Sequence, residues 1–358
     1  MAENPVRFGI LGCAEIARKV ARAISLAPNS TLSAIASRSI DKARKFAAHN
    51  GFPSTVHMYG SYDELLDDPS VDAVYVPLPT TLHLKWAVLA AEKKKHVLLE
   101  KPTAVHVADL DRILEACDES GVQFMDGTMW MHHPRTGMMK EKLSQLSIFG
   151  QLKSIHSTST YAPPPEFLEN DIRVKADLDA LGALGDTGWY CIRAILWAVN
   201  YQLPKTITAL PALELNRDGV ILACGSSLLW EDGKLATFHC SFLSNESMDL
   251  YLYGTLGSIH LRDFIIPYNE DSASFSFLSD ANFTELHLGW NKKPDEICVA
   301  LPLPQEALMV QEFARLAASI RDCGGCPDPK WPEVSRKTQL VLDAVKKSIE
   351  LGFKPIEL

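Results

Sequence analysis

From Val6 onward, short apolar runs alternate with stretches in which apolar residues recur every three or four positions. Val6–Leu11 is an apolar run closed by Gly12, and Ile16–Leu26 has helical spacing. Leu32–Ala36 is a second run, followed by a helical stretch over Ile40–Asn50. The helix-like YDELLDD leads into the run Asp72–Val76, and a helix is expected from about Leu82 to Lys94. Val97–Leu99 is the next strand, Val107–Ser120 the next helix, and GVQFMDG a last strand. Short apolar runs separated by helices predict βαβ units and a parallel sheet covered on both faces.

After residue 150 the period changes. Residues 151–161, 219–230, 234–243, 247–254 and 257–261 read as strands with no helices between most of them. LACGSSLLW and KLATFHCSF read as antiparallel neighbours joined by the turn EDG. One amphipathic helix, Trp189–Val199, interrupts the strands, and Pro304–Arg321 and Glu333–Leu351 are helical again. The expected architecture is an α/β domain with a parallel sheet over residues 1–127. An α+β domain over 128–358 follows, built on a large, mostly antiparallel open sheet.

Composition narrows the function. The 358 residues carry a net charge of −9, the wrong sign for a nucleic acid or an anionic membrane surface. No run of apolar residues is long enough to span a bilayer. The opening MAENPVRFGILG lacks the basic and apolar regions of a signal peptide. The 8 cysteines lie mostly in apolar or helical contexts, which fits reduced thiols and a cytoplasmic location.

The stretch GILGCAEIARKVARAI follows the first strand and opens the first helix. Read against the dinucleotide fingerprint G-x-G-x-x-G, it has Gly12, Ala14 and Ala17 in the three small positions. Gly12 permits the tight turn, and unpaired amides at the helix start can hold phosphates. A plain strand–turn–helix would carry the same pattern. An NAD site wants an acid at the end of the second strand. This chain has Ser37-Arg38-Ser39 there, with Lys42 a turn later, which favours a 2′-phosphate and hence NADP over NAD. Arg38 and Lys42 as merely solvated surface cations, with the acid Asp41 beside them, are the competing reading.

Two further stretches carry chemistry. HVLLEKPTAV ends a buried strand on Glu100 and Lys101 and locks the next residue with Pro102, whose peptide bond can be cis. A lysine at that sheet edge can stabilise charge on a substrate oxygen; a surface ion pair would read the same way. In GALGDTGWYCIRAILWAV, Asp186 and Tyr190 lie one turn apart on a helix expected to begin near Thr187. A tyrosine near a lysine can act as proton donor, or Asp186 can be an N-cap and Tyr190 core. Cys323-Gly-Gly-Cys326 is a single C-x-x-C, a weak metal signal, and His132 and His133 are adjacent rather than at ligand spacing. No metal is expected.

GILGCAEIA, VDAVYVPLPTTLHLKWAVLAAEKKKHVLLEKP and LGALGDTGWY together resemble the glucose–fructose oxidoreductase/inositol dehydrogenase (Gfo/Idh/MocA) superfamily. The chain is most similar to its branch of dihydrodiol and NADP-linked xylose dehydrogenases. The resemblance implies a Rossmann domain, then a substrate domain whose open sheet serves a homodimer or higher oligomer. It implies Lys101 and Tyr190 at the reacting carbon with Asp186 in support. It implies a cofactor lined by Gly12, Ala14, Ile16, Ser37, Arg38, Lys42, Pro77, His83, Glu100 and Lys101. It places Trp130, His133 and Arg135 toward the substrate, a carbohydrate-like or dicarbonyl small molecule. Two departures stand out: Gly12-Cys13-Ala14 is poorer in glycine than the family turn, and Ala180-Leu181-Gly182-Ala183-Leu184 replaces a glycine-rich lead-in. The expected activity is hydride transfer between NADP and a hydroxyl or carbonyl carbon of a sugar, polyol or cyclic diol. The alternative is a dinucleotide-binding sensor without catalysis, and turnover discriminates the two.

Overall fold

The computed structural model describes residues 4–284, 286 and 288–358. Residues divide into two compact units, Met1–His132 with Leu303–Arg336, and His133–Pro302 with Lys337–Leu358.

In the first unit, β1 (Val6–Leu11), β2 (Ser30–Ala36), β3 (His57–Tyr59), β4 (Ala73–Val76), β5 (His96–Leu99) and β6 (Phe124–Asp126) form one sheet. Every pairing is parallel, and the spatial order is β3-β2-β1-β4-β5-β6. Between the strands run α1 (Glu15–Leu26), α2 (Ile40–His49), α3 (Tyr62–Asp67), α4 (His83–Glu92) and α5 (Val107–Ser120). β4 and β5 are buried at every residue, which is why they read as continuous apolar runs rather than alternating ones. On α1 the buried residues Ala17, Val20, Ala21 and Ile24 follow helical spacing. Strand order reverses between β1 and β4, and ligands of such sheets bind outside the carboxyl ends at that point. The sequence reading misses β3 as a strand: it is an edge strand with two exposed residues, paired to β2 alone, and carries no apolar run.

In the second unit, α6 (Pro134–Ser144), β7 (Leu152–Thr160), α7 (Pro165–Asn170) and α8 (Trp189–Ala198) come first. Then follow β8 (Thr206–Ala209), β9 (Glu214–Leu215), β10 (Ile221–Leu229), β11 (Leu235–Ser241), β12 (Ser247–Gly254), β13 (Gly257–Leu261), β14 (Ser272–Ser279) and β15 (Asp295–Ala300). With β16 (Ile356–Glu357) these make a ten-stranded sheet in the order β15-β14-β13-β12-β7-β11-β10-β8-β16, and β9 pairs with β10. The sheet is antiparallel except where β11 runs parallel to β7. β10 and β11 form the expected hairpin through Glu231-Asp232-Gly233, with Trp230 N–H donating to the Lys234 carbonyl at 3.0 Å. Ile155, Leu250, Leu252, Ile259 and Phe275 are buried, while their neighbours His156, Tyr251, Tyr253 and His260 stay half- or fully exposed. This is the period-2 signature of a sheet with one covered face.

The expected boundary at 127/128 differs from the observed division, because residues 303–336 pack with the first unit. Helix α9 (Gln305–Cys323) sets Phe313 against Phe8 of β1, ring centroids 5.8 Å apart. Gln311 carbonyl accepts from Asn29 at 2.9 Å, and Arg321 pairs with Asp72 at 3.0 Å. The last helix, α10 (Lys330–Glu350), has residues 330–336 in the first unit and the remainder in the second.

Candidate active site

The turn after β1 is built for close approach. Gly12 has φ +120°, a conformation that favours glycine, and a Cβ there would also crowd Leu78 Cδ2 at 3.0 Å. Ala14 is the N-cap of α1 in extended conformation and offers no side-chain cap. The first amides of α1, next to Glu15 and Ile16, are therefore the kind of donors that hold an anion. At the end of β2, Ser37 is buried while Arg38 and Lys42 are exposed. Ser39 Oγ caps α2 by accepting from the Lys42 amide at 3.4 Å. No carboxylate occupies Ser37, Arg38 or Ser39. Pro77 follows β4 and is buried. These residues fit a phosphate-rich dinucleotide with cations at its ribose end.

The His83 ring is 1% exposed. Nε2 lies 2.8 Å from the Leu78 carbonyl and Nδ1 3.2 Å from the Thr103 carbonyl. The histidine ties the exit of β4 to the turn after β5, and so shapes both loops at this edge of the sheet.

Glu100 and Lys101 follow β5 at the same carboxyl edge, and the Lys101–Pro102 bond is cis. Glu100 Oε1 accepts from Tyr75 Oη at 2.5 Å, and Oε2 accepts from the Lys101 amide at 3.0 Å. Burial raises the Glu100 carboxyl above the usual range, opposed by the Lys101 charge and the Tyr75 hydroxyl, with Asp126 adding to the rise. Asp126, at the end of β6, accepts from the Thr128 amide at 3.0 Å and from the hydroxyls of Thr128 and Ser335.

The second unit holds Asp186 and Tyr190. The helix is expected to start near Thr187 but runs from Gly182, with a π-helical turn over Leu184–Gly188 before α8. Asp186 therefore sits inside the π-turn and is not an N-cap; such turns are frequent at functional sites. Gly182 makes the entry possible: φ is +58°, and a Cβ would stand 2.0 Å from the Ile221 carbonyl oxygen. Asp186 Oδ2 accepts from Tyr161 Oη at 3.1 Å and pairs with Arg173 Nε at 3.3 Å. Arg173 also reaches Asp171 at 3.1 Å. The Asp186 carboxylate, then Asp171, holds the Arg173 guanidinium more firmly protonated than usual. Burial and Asp186 push the Tyr161 phenol up. Tyr161 and Arg173 are missed by the sequence reading; no local spacing links them to Asp186. Tyr190 is 8% exposed on α8.

The segment Trp130-Met131-His132-His133-Pro134-Arg135 divides in its roles. Trp130 is buried in a short 3-10 turn, Met129–His132. His133 Nδ1 caps α6 by accepting from the Arg135 amide at 2.9 Å. Arg135, expected toward the substrate, is 2% exposed. Its guanidinium is engaged by Asp263 Oδ1 at 2.5 Å, the Asp263 carbonyl at 2.9 Å and the Ser274 carbonyl at 2.9 Å. That buried pair anchors α6 to β14 and its preceding loop. Among the described residues, no group of three or more His, Cys, Asp or Glu could hold a metal ion.

A parallel sheet in this order, with a small-residue turn after its first strand and a Glu-Lys-Pro after its fifth, defines a dinucleotide-dependent type of protein. Comparison with known proteins agrees. The model of the oxidoreductase family with an NAD-binding Rossmann fold, GFO_IDH_MocA, matches residues 6–128, and that of the GFO/IDH/MocA C-terminal domain matches 141–260. The chain belongs to the GFO/IDH/MocA oxidoreductase family. It is 32% identical to an uncharacterised oxidoreductase of Rhizobium meliloti over 97% of this chain and 98% of that one. A D-xylose 1-dehydrogenase (NADP(+)) of Haloferax volcanii is 37% identical over 52% of this chain and 55% of its own. A 3-ketoreductase from Actinomadura kijaniata, solved with NADP and TDP-benzene, superposes with a TM-score of 0.80 at 28% identity, covering 96% of this chain and 98% of that one. The same ketoreductase has been solved with a tyrosine changed to phenylalanine and with a lysine changed to alanine or glutamate.

Proposed function

We propose that this chain is an NADP-dependent oxidoreductase acting on a hydroxyl or carbonyl carbon of a sugar, polyol or cyclic diol. The observation that carries the reading lies within the first unit. The Gly12 turn, the Ser37-Arg38 end of β2, the Pro77 exit of β4 and Glu100-Lys101 after β5 all stand at the carboxyl edge of one parallel sheet. Bound NADP(H) supplies the hydride donor or acceptor. Gly12, Ala14 and the first amides of α1 hold the diphosphate, and Ser37, Arg38 and Lys42 hold the 2′-phosphate. Lys101 polarises the substrate oxygen, and Tyr190 gives or takes its proton, with Asp186 as its support. A relative named for NADP-linked xylose oxidation and a neighbour solved with NADP favour the same cofactor and a sugar-like substrate.

The cofactor assignment has a direct test. Nicotinamide fluorescence during titration is expected to show NADPH binding about 10- to 100-fold tighter than NADH, as charge-assisted contacts to a phosphate require. Arg38→Ser is expected to bring the two near parity. Equal affinities in the unaltered protein would overturn the NADP reading.

The half-exposed face of the large sheet is the surface we assign to a second copy of the chain. Tyr251 stacks on His260 with centroids 3.8 Å apart, beside Tyr253 and His156. Aromatic residues of this kind are enriched at interfaces. Light scattering is expected to read at least a dimer mass, and a monomer at micromolar concentration would remove the assignment. All 8 cysteines are free thiols, which supports a reducing, cytoplasmic setting. Among the described residues no helix is long and apolar enough to cross a membrane.

A further inference from the structure

We propose that Tyr75 is a positioning residue for this site: donated to Glu100 across a gap that only Gly127 leaves open, its hydroxyl fixes the carboxylate against the Lys101 amide. The inference rests on the reading of Lys101 given above.

The placement follows from the sheet. β4 and β5 pair Tyr75 with Leu98 and Val76 with Leu99, and the Glu100 amide donates to the Val76 carbonyl at 3.2 Å. β5 and β6 pair Leu99 with Asp126, and the Gly127 amide donates to the Leu99 carbonyl at 2.7 Å. Side chains alternate along strands, so Tyr75, Leu98 and Glu100 share one face, and Gly127 stands beside Glu100 on the next strand. Tyr75 is 0% exposed, an unusual place for a phenol unless its hydroxyl has a partner. A Cβ on Gly127 would lie 2.9 Å from Glu100 Oε1 and 3.1 Å from its Cδ. A larger residue there would crowd the carboxylate that its two donors hold.

Three neighbouring strands thus supply one carboxylate with a donor, a vacancy for its bulk and a backbone amide. The groups whose charge or hydrogen bonds act on it are Lys101, Tyr75 and Asp126. Tyr75 and Lys101 favour the ionised form, while burial and Asp126 oppose it. A carboxylate held in this balance depends on each donor. Removing the phenol hydroxyl leaves the charge buried with less support, so Glu100 takes up a proton at higher pH. Lys101 then loses its counter-charge over that interval.

The test compares the unaltered protein with Tyr75→Phe, Gly127→Ala, Glu100→Gln and Lys101→Ala. Infrared titration of the carboxyl stretch is expected to show a high-titrating carboxyl that Glu100→Gln abolishes. Tyr75→Phe is expected to move it upward by about one pH unit, the usual weight of one hydrogen bond to a charged group, and Gly127→Ala to move it the same way. With NADP and D-xylose as the probe, the acid limb of kcat is expected to move by the same amount in Tyr75→Phe, with KM within about twofold. A merely structural role would scale kcat at every pH and leave the limb in place. An unshifted carboxyl in Tyr75→Phe, beside an inactive Lys101→Ala, overturns the Tyr75 assignment alone. A Lys101→Ala variant that turns over like the unaltered chain removes the Lys101 reading instead, whatever the carboxyl does.

Discussion

Lys101→Ala is expected to lower turnover by about 10²–10³, the usual loss when a donor to developing oxyanion charge is removed. Tyr190→Phe is expected to cost about 10²–10⁴, the range for a positioned general acid–base group. Both losses should come with a folded protein. Phenylalanine keeps the ring that α8 buries, and Lys101 is half-buried at a strand exit where a shorter side chain opens no core cavity. The two changes should not multiply. Groups that act on one oxygen in one transition state lose most of their joint effect when either is removed. The double variant is expected to be about as slow as the slower single variant. Steady-state rates with NADP and a panel of sugars and diols measure this. Multiplicative losses would mean that the two residues act in separate steps. Unchanged rates in both variants would leave the chain as a dinucleotide-binding protein whose chemistry lies elsewhere.

Legibility in the sequence follows the range of the interaction. The helix expected over Val107–Ser120 is α5 to the residue, because its apolar spacing and the Gly121 stop are local signals. β10 and β11 are equally local, set by a two-sided pattern and the EDG turn. Non-local pairs are silent in the sequence. Nothing near Arg135 announces Asp263, 128 positions later. The burial of His83 is silent in the same way, because the carbonyls that meet its ring belong to two different loops. The π-turn at Asp186 is hidden in the same way. The sequence predicts a helix only from Thr187, and the earlier turn that forms is supported from the sheet, where Gly188 packs under Cys240, whose Sγ would be 3.1 Å from an added Cβ. β14 is a different case. Its sequence SASFSFLS alternates correctly, but serine on every second position keeps the segment weakly apolar, and short polar strands look like loops. Glu100 and Lys101 stand out in the sequence because charge at the end of an apolar run is itself an anomaly.

Stability is expected to fall steeply between pH 6.5 and 4, driven by two histidines. His96 at the start of β5 and His133 at the cap of α6 are 6% and 2% exposed. Burial, with Arg321 adding and Asp72 opposing, lowers His96 to about 4. Burial and then Arg135 lower His133 to about 4. Each ring also uses Nδ1 as an acceptor, from the Gln123 amide at 2.9 Å and the Arg135 amide at 2.9 Å, a role that protonation ends. An unfolded histidine binds its proton near pH 6.5. Between that value and 4 the unfolded chain holds more protons than the folded one, so acid favours unfolding. The slope disappears below about 4, where both states are protonated. Each site is worth about 3 kcal/mol across the full interval. Glu100 works in the opposite direction, since its raised carboxyl binds a proton more readily in the folded chain. Asp68, lowered to about 2 because hydrogen bonds from Ser70, Tyr59 and His57 outweigh its burial, adds its loss only at lower pH. Asparagine can accept from both amides without titrating, and it is a good N-cap. Urea unfolding of the His96→Asn, His133→Asn double variant is therefore expected to show a much flatter dependence from pH 6.5 to 4. If the unaltered chain and the double variant lose stability in parallel over that interval, the acid sensitivity belongs to the carboxylates instead.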